Sequence, residues 1–318
     1  MPEPGGTVLT SAAPWGTWPA VLAVTVVGIL LGVFVAAVDR AVLSGTGAGA
    51  GVEVLRSGTR LLAEQRRTTL APDPLLWRLG TAAVPVLALL SLAVVPIGGR
   101  TLLSTGADIV WFNAMEAILW AAVWLVGWGP NAVHALTGGY RFLVQGLFYE
   151  LPLMFALITV GLGARSLRTT DVVAAQGDLW FVVTMPIAFL VFLAAAAAFA
   201  FWGPFAAPAG PDIAGGVLSE LSGAERFLLE LGRAIFLGAA AAMATALFLG
   251  GDAGPWLPGP VWQLLKTAGV VVLLVGIGRR IPVIRPDRVV EIGWMVLIPA
   301  TLLQALVVAV LVLTGFYA

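Results

Sequence analysis

The stretch AFLVFLAAAAAFAF, residues 188–201, contains only apolar side chains and decides the fold class. Strands of a membrane barrel alternate polar with apolar residues, and this stretch does not alternate. An α-helix satisfies its backbone hydrogen bonds within itself, so a continuous apolar run predicts a helix embedded in hydrocarbon. The stretch is typical of the chain, in which 60% of the 318 residues are hydrophobic and 11% are charged. In soluble domains roughly half of the residues are hydrophobic and about a quarter are charged. The composition therefore predicts an integral membrane protein.

Similar apolar runs recur along the chain, each close to the roughly 20 residues that a helix needs to cross a bilayer. They predict an all-α polytopic membrane protein, with one integral membrane domain over residues 1–318. Glu3, and no Lys or Arg, precedes the first run, so we expect that run to be retained rather than removed as a signal peptide. The eight predicted transmembrane helices cover residues 18–38, 79–97, 109–127, 144–163, 179–202, 234–251, 261–278 and 293–314.

The arginines are distributed unevenly between the two sides of this predicted bundle. Cytoplasmic loops of membrane proteins carry an excess of Lys and Arg. We therefore expect the odd-numbered loops to be cytoplasmic and both termini to face outward, in a multi-pass protein of the cell inner membrane. Only Arg100, Arg165 and Arg168 fall in even-numbered loops. The odd-numbered loops hold Arg40, Arg56, Arg60, Arg66, Arg67, Arg78, Arg141, Arg226, Arg233, Arg279, Arg280, Arg285 and Arg288.

Two of the predicted cytoplasmic loops are long. The first, residues 39–78, contains GVEVLRSGTRLLAEQRR, in which Val52, Leu55, Leu61 and Leu62 fall close to one helical face. This pattern predicts an amphipathic helix lying on the cytoplasmic membrane surface. The second long loop, residues 203–232, is rich in Pro and Gly and ends in several charged residues.

The composition excludes several kinds of functional site. The chain has no cysteine, which rules out disulfides, thiolate zinc sites and cysteine-ligated iron–sulfur clusters. His134, the only histidine, is predicted to lie on a loop and cannot form a metal site alone. No phosphate-binding loop or dinucleotide fingerprint is present. We therefore expect no cofactor bound by this chain. The net charge of zero gives no reason to expect a nucleic-acid partner.

Ionisable residues within spans are the best candidates for chemistry, because each is costly in hydrocarbon unless it is paired or hydrated. Such a residue can alternatively lie at a helix end and reach the headgroups, and long Lys and Arg side chains do so most easily. Glu150 has a short stem and lies beside a helical face formed by Gln145, Tyr149 and Pro152. The full set is Glu116, Arg141, Glu150, Glu230, Arg233 and Lys266.

The segment GWGPNAVHALTGGYRFLVQGLFYELPL, residues 127–153, carries a family resemblance. It resembles the H-type membrane subunits of proton-pumping NADH-quinone oxidoreductase, respiratory complex I. The resemblance continues through SLRTTDVVAAQ at residues 166–176, then ELSG at 220–223, LFLGG at 247–251 and RPDRV at 285–289. The matching residues of the first segment are Gly127, Trp128, Asn131, Ala135, Leu136, Gly138, Arg141, Gln145, Tyr149, Glu150 and Pro152.

This resemblance implies a function for the chain as one subunit of a larger complex. Such a subunit docks the hydrophilic arm, contributes to the quinone chamber and begins a proton relay, and it is inactive alone. The implied partners are other membrane and hydrophilic subunits, quinone as the substrate of the complex, and the lipid bilayer. The implied proton-relay residues are Glu150, Glu116 and Glu230. The implied residues of the quinone chamber or charged relay are Arg141, Gln145, Tyr149, Asp171, Glu220, Arg226, Lys266, Arg285 and Asp287.

The sequence also departs from that family. The loop after the fifth predicted span reads PFAAPAGPDIAGGVLSE, residues 204–220, and has few of the acids that the family places there. The departure indicates a divergent copy. It leaves open the equivalent membrane subunit of a hydrogenase or formate-hydrogenlyase complex. A stand-alone transporter or scaffold is a further alternative, although the internal repeats that many transporters have are not evident.

Overall fold

The computed structural model describes residues 17–316 of the chain, and all regular structure in that range is helical. The first half contains α1 (Thr17–Ser44), α2 (Ala50–Ala63), α3 (Pro74–Leu92), α4 (Asp108–Trp128) and α5 (Val133–Ala164). Two short helices, α6 (Thr169–Ala174) and α7 (Phe181–Thr184), precede α8 (Pro186–Phe199). The remainder consists of α9 (Gly223–Phe248), α10 (Gly259–Arg280), α11 (Pro286–Ile292), a π-helical turn (Gly293–Leu297) and α12 (Ile298–Leu313).

Seven helices within residues 17–316 are long and apolar enough to cross a membrane, and α8 is a shorter apolar helix of 14 residues. One of the seven covers residues 286–313 and consists of α11, the π turn and α12, which follow one another without a break. These helices confirm the predicted all-α polytopic membrane fold, with seven helices of spanning length and the shorter α8 in the place of the fifth predicted span.

The amphipathic segment of the first loop forms α2, as its sequence pattern predicts. Its side chains Val52, Leu55 and Leu62 are exposed, and the helix contacts both α1 and α9. The chain then enters α3 through a capped N-terminus, where Asp73 Oδ1 accepts hydrogen bonds from the backbone N–H groups of Leu75 and Leu76 at 3.1 Å.

The fifth predicted span, residues 179–202, is not one continuous helix. Pro186 follows a break at Met185, and it separates the four-residue α7 from α8. Proline removes a backbone donor and disfavours helical geometry in the residue before it, which accounts for the break. Gln304 of α12 bridges the gap: its Oε1 accepts from Ile187 N at 3.3 Å, and its Nε2 donates to Thr184 O at 3.2 Å.

Other predicted boundaries also differ from the structure: α1 runs to Ser44 rather than to 38, and α3 covers Pro74–Leu92 rather than 79–97. Two larger differences concern α5 and α9. α5 begins at Val133, eleven residues before the predicted span at 144–163, so His134 lies in its first turn rather than on a loop. α9 begins at Gly223, and the predicted loop at 203–232 therefore ends ten residues early. In both cases a helix extends past the purely apolar run, because polar residues are tolerated where a helix leaves the hydrocarbon.

α9 lies at the centre of the bundle, packed against α1, α3, α8 and α10. Its Gly- and Ala-rich surface lets neighbouring helices approach closely. A Cβ at Gly232 would lie 2.7 Å from the backbone N of Pro85 in α3, which leaves no room for a side chain there. We call the end of the bundle that carries α2 and the start of α9 the α2 end, and the end that carries α6 and the start of α10 the α6 end.

Candidate functional site: a cavity and a buried acidic cluster

A cavity of about 690 Å³ opens at the α2 end between α1, α2, α9 and the end of α10. Ligand sites commonly have volumes of about 300–1,000 Å³ and mostly apolar walls with a few polar groups. The apolar part of the wall includes Ile29, Val33, Leu55, Leu62, Phe227, Leu231 and Val283. The charged part comprises Asp39, Arg40, Glu230, Arg233 and Arg279. The cavity thus has the shape and lining of a site for an amphiphile.

Ion pairs hold the walls of this cavity together. Arg279 of α10 forms a two-pronged ion pair with Asp39 of α1 through its Nε and Nη2 atoms. Arg40 of α1 reaches Glu53 of α2 at 3.1 Å and donates a hydrogen bond to Ser57 Oγ at 3.1 Å. α1 is therefore tied to the surface helix on one side of the cavity and to α10 on the other.

Arg233 projects from α9 into the cavity wall. Its Nη2 donates to Phe201 O at 2.7 Å and its Nε donates to Ala200 O at 3.3 Å. The guanidinium carbon also lies 4.3 Å from the ring centroid of Phe201 and 5.0 Å from that of Trp202. A cation over aromatic faces is favourable, and these carbonyls at the end of α8 carry partial negative charge. Arg233 therefore fixes the end of α8 against α9.

The polypeptide between α8 and α9 folds over the α2 end as four short 3-10 turns within residues 203–218. Arg141 of α5 anchors it, forming an ion pair with Asp212 at 2.8 Å and donating to Ala207 O at 3.3 Å. Gly216 adopts φ +52° here, and a Cβ on Gly138 of α5 would meet the Pro208 carbonyl oxygen at 2.6 Å. The segment is thus a compact wall beside the cavity.

A second polar site lies inside the bundle between α4 and α5. Glu116 is fully buried, and its carboxyl lies next to Glu150, Tyr149 and Trp120. Asn113 Nδ2 donates a hydrogen bond to Glu150 Oε1 at 3.0 Å. We call these five residues the acidic cluster.

The acidic cluster holds several polar atoms that are buried without a hydrogen-bond partner among residues 17–316. They are Asn113 Oδ1, both oxygens of Glu116, Trp120 Nε1, the hydroxyl of Tyr149 and Glu150 Oε2. Buried polar groups are rarely left unpaired, and such groups are often satisfied by water or have a functional role. Two carboxyls side by side in an apolar interior repel each other when both are charged.

The last turn of α8 links the acidic cluster to the cavity. Gln145 of α5, one turn before Tyr149, donates from Nε2 to Ala198 O at 2.6 Å. Arg233 of α9 donates to the carbonyls of Ala200 and Phe201, the two residues that follow α8. Tyr149 also packs on Phe199, with their ring centroids 6.1 Å apart. The end of α8 therefore contacts both the cavity wall and α5.

A family model described as NADH dehydrogenase matches residues 18–309 of this chain. The chain belongs to the NADH dehydrogenase family. An H-type subunit of NADH-quinone oxidoreductase from Geobacter metallireducens is 35% identical over 259 residues, covering 78% of this chain and 79% of that protein. The corresponding H-type subunit from Geobacillus kaustophilus is 34% identical over 257 residues, covering 79% of this chain and 77% of that protein.

A solved relative has the same fold. One chain of the archaeal membrane-bound sulfane sulfur reductase, a respiratory membrane complex, superposes with a TM-score of 0.82 at 19% identity. The match covers 92% of this chain and 99% of that one. The two chains therefore share one fold over nearly the whole length of this chain.

Some of the residues singled out in this family member's sequence lie together. Glu116, Tyr149 and Glu150 form the acidic cluster, and Gln145 lies one turn away. Glu230 lines the cavity and pairs with Arg226 at 2.9 Å. Arg141 contacts the wall segment, as described above.

Other predicted residues lie elsewhere. Asp171 and Lys266 are at the α6 end, where Asp171 accepts a hydrogen bond from Ser166 Oγ at 2.7 Å. Arg285 and Asp287 are exposed and pair with each other at 3.3 Å. Glu220 is half-buried just before α9, outside both the cavity lining and the acidic cluster.

Sequence reasoning did not select Asp39, Asn113 or Asp108 as site residues. Asp39 is the first charged residue after an apolar run, which is also the ordinary position of a residue that ends a span. Asn113 is uncharged and therefore escaped a search for ionisable residues. Asp108 is fully buried at the α6 end, where its carboxylate accepts from Thr105 N at 2.8 Å and Thr169 N at 3.1 Å. A search for all polar residues inside apolar runs would have found Asn113.

Proposed function

We propose that this chain is the membrane subunit of a proton-translocating NADH-quinone oxidoreductase, and that its cavity forms part of the quinone-binding chamber. The observation that carries the proposal is the mostly apolar cavity with a charged rim, in a chain related to subunits of that oxidoreductase. A quinone is an amphiphile, and its long tail matches the apolar wall while its carbonyls match the arginines. The isolated chain is inactive, because electrons must come from a partner subunit.

We propose that the acidic cluster binds and releases protons when quinone is reduced in the cavity. Glu116 and Glu150 can hold one proton between them, and the unpaired atoms around them suit bound water. Glu230 is proposed as the residue that brings protons from the cavity side, since it lines the cavity. The contacts of Gln145 and Arg233 with α8 offer a mechanical route between quinone site and cluster.

The α2 end is proposed to face the cytoplasm of a cell whose inner membrane holds the complex, with both termini outward. On this proposal the polypeptide at residues 39–78 and the wall at 203–232 form a cytoplasmic platform for hydrophilic partner subunits. Support comes from the arginine excess in the loops of this end. Exposed Arg66 is already held in place by Glu225 at 2.8 Å, so part of the platform is ordered in the chain alone.

A cavity-filling substitution tests the quinone proposal. Ala36 of α1 lines the cavity, whereas Ala23 on the same helix is exposed outside it. Ala36→Phe should lower quinone reduction by the purified complex about tenfold, since pocket occlusion commonly costs ~10–200-fold. Ala23→Phe should leave the rate unchanged. Full activity of an assembled Ala36→Phe complex would show that quinone does not use this cavity.

Copurification tests the choice of complex. A tagged chain extracted in mild detergent should bring down NADH-oxidising subunits. Recovery of a nickel-containing large subunit would instead favour a hydrogenase or formate-hydrogenlyase complex. Recovery of the chain alone, with solute transport in liposomes, would favour a stand-alone transporter.

Orientation can be tested with single cysteines, since the native chain has none. Arg60 at the α2 end and Arg168 at the α6 end are both exposed. In intact cells an impermeant thiol reagent should label Arg168→Cys and not Arg60→Cys. The opposite labelling pattern would invert the proposed topology.

A further inference from the structure

The charges around the cavity do not balance within the part of the chain that the structure describes. Asp39 and Arg279 pair with each other, Arg40 pairs with Glu53, and Glu230 pairs with Arg226. Arg233 is the one charged lining residue in residues 17–316 that makes no ion pair. The charged side chains of the lining sum to one net positive charge, and Arg233 is attracted by the carboxylates of Glu230 and Asp39 without forming an ion pair with either.

The donors of Arg233 are also incompletely used. A guanidinium has five N–H donors in a planar fork. Two of them go to the carbonyls of Ala200 and Phe201, and no further acceptor lies within hydrogen-bonding distance in the described chain. The two carbonyls and the rings of Phe201 and Trp202 hold the group in one orientation. The remaining N–H donors of Arg233 are therefore held in a fixed orientation beside the apolar part of the cavity wall.

We propose that Arg233 is a headgroup-binding residue that gives the cavity a preference for amphiphiles with an anionic headgroup. The inference rests on the proposed quinone site and deepens it, because it names the ligand class that the site binds best. A planar fork is well suited to two adjacent oxygens, such as those of an ionised hydroxyquinone. Anionic phospholipid headgroups offer the same chemistry, and the experiment below separates the two sources.

Binding can be measured on the full chain in nanodiscs through Trp202, which lines the cavity 5.0 Å from Arg233. Quinones quench tryptophan fluorescence, and the quenching that Trp202→Phe abolishes reports this cavity alone. The probes are an alkyl hydroxynaphthoquinone, which is anionic at neutral pH, and its neutral O-methyl ether. In phosphatidylcholine nanodiscs the anionic probe should bind ~10-fold more tightly than the ether, as expected for a charge-assisted pair.

Substitutions at Arg233 should remove this preference selectively. Arg233→Gln should reduce the affinity ratio of the two probes to about one while changing the Kd of the ether by less than about threefold, since the amide keeps donors but no charge. Arg233→Lys should keep part of the preference, which covers the case in which the glutamine variant folds poorly. Arg280→Gln, an exposed neighbour outside the lining, removes equal charge and should change neither affinity.

The outcomes separate this inference from the function on which it rests. Equal affinity of the two probes for the unmodified chain would overturn the anion preference, and equal weakening of both by Arg233→Gln would show that Arg233 does not produce it. Either result would leave the quinone cavity standing. Absence of Trp202 quenching by either probe would overturn both. In phosphatidylglycerol nanodiscs, weaker binding of the anionic probe to the unmodified chain but not to Arg233→Gln would identify lipid as a competing occupant. Unchanged binding there would assign the site to the quinone headgroup alone.

Discussion

The acidic cluster and the α6 end both contain polar groups inside the protein, but the groups at the α6 end are hydrogen-bonded and many of those in the acidic cluster are not. At the α6 end, Lys266 Nζ donates to the carbonyls of Leu249, Gly251 and Ala253 at 2.6, 3.1 and 2.7 Å, and it lies over the Trp180 ring at 4.2 Å. Asp108 there accepts backbone and hydroxyl hydrogen bonds.

The acidic cluster, by contrast, leaves six polar atoms of its five residues without partners in the described chain. Burial of an unsatisfied polar group is costly, whereas a satisfied one stabilises the fold. A polar group with all its hydrogen bonds made holds its neighbours in place. A polar group with unmade hydrogen bonds can instead bind water or exchange protons. We therefore propose a stabilising role for Lys266 and a functional role for Glu116 and Glu150, although all three are ionisable residues in apolar spans.

The largest expected effect is at Glu150. Glu150→Gln is nearly isosteric, keeps an acceptor for Asn113 and cannot titrate, so the complex should assemble but lose proton pumping by about 10²-fold or more if this is the proton-transfer group. Proton uptake per NADH in reconstituted vesicles measures this. Unchanged pumping by the glutamine variant would remove the acidic cluster from the proton route.

Lys266 should give the second-largest effect, and of a different kind. Lys266→Met keeps the length of the side chain but leaves three carbonyls without their donor, which should lower the free energy of unfolding by about 2 kcal/mol. Thermal unfolding of the purified chain in detergent measures the loss. The matched control is Glu116→Gln, which replaces a fully buried carboxyl by an amide of the same size and should be neutral or stabilising. A larger loss of stability for Glu116→Gln than for Lys266→Met would reverse the assignment.

The smallest expected effect is at the wall segment. Adding acids with Ala206→Asp and Ala209→Asp beside the cavity should change the quinone KM of the complex by only about two- to fivefold, because exposed charges are screened by water and salt. Ala214→Asp, on an exposed turn of the same segment, should have no effect. If the wall variants and the control behave alike while the complex is active, the wall is only a spacer.

The fold class and α2 could be predicted from the sequence because each depends on a local pattern. The apolar runs identify spans by composition alone, and the spacing of Val52, Leu55 and Leu62 identifies a surface helix. The break at Met185 was not predicted, because the apolar run continues on both sides of Pro186. A prediction based on apolar composition therefore gave one continuous span.

The candidate site was predicted less completely. Glu116 and Glu150 lie 34 positions apart in sequence, and each stood out as a carboxyl in an apolar run. Lys266 stood out in the same way, because a sequence pattern does not show whether backbone carbonyls surround a side chain. The pairing of Asp39 with Arg279 joins α1 to α10 and depends on tertiary contacts that no local pattern encodes.

The contact of Gln304 with the break between α7 and α8 has a consequence for biogenesis. α8 has 14 residues and so rises about 21 Å, less than the roughly 30 Å of hydrocarbon. The polar backbone groups of Thr184 and Ile187, which have no helical partner at the break, bond to a side chain of α12, the last helix in residues 17–316. During synthesis the fifth span therefore cannot reach its final state until the eighth has left the ribosome and docked. A chain truncated before residue 304 should therefore lack the hydrogen bonds that Gln304 makes at the break in the fifth span, and we expect it to be degraded faster than the full chain.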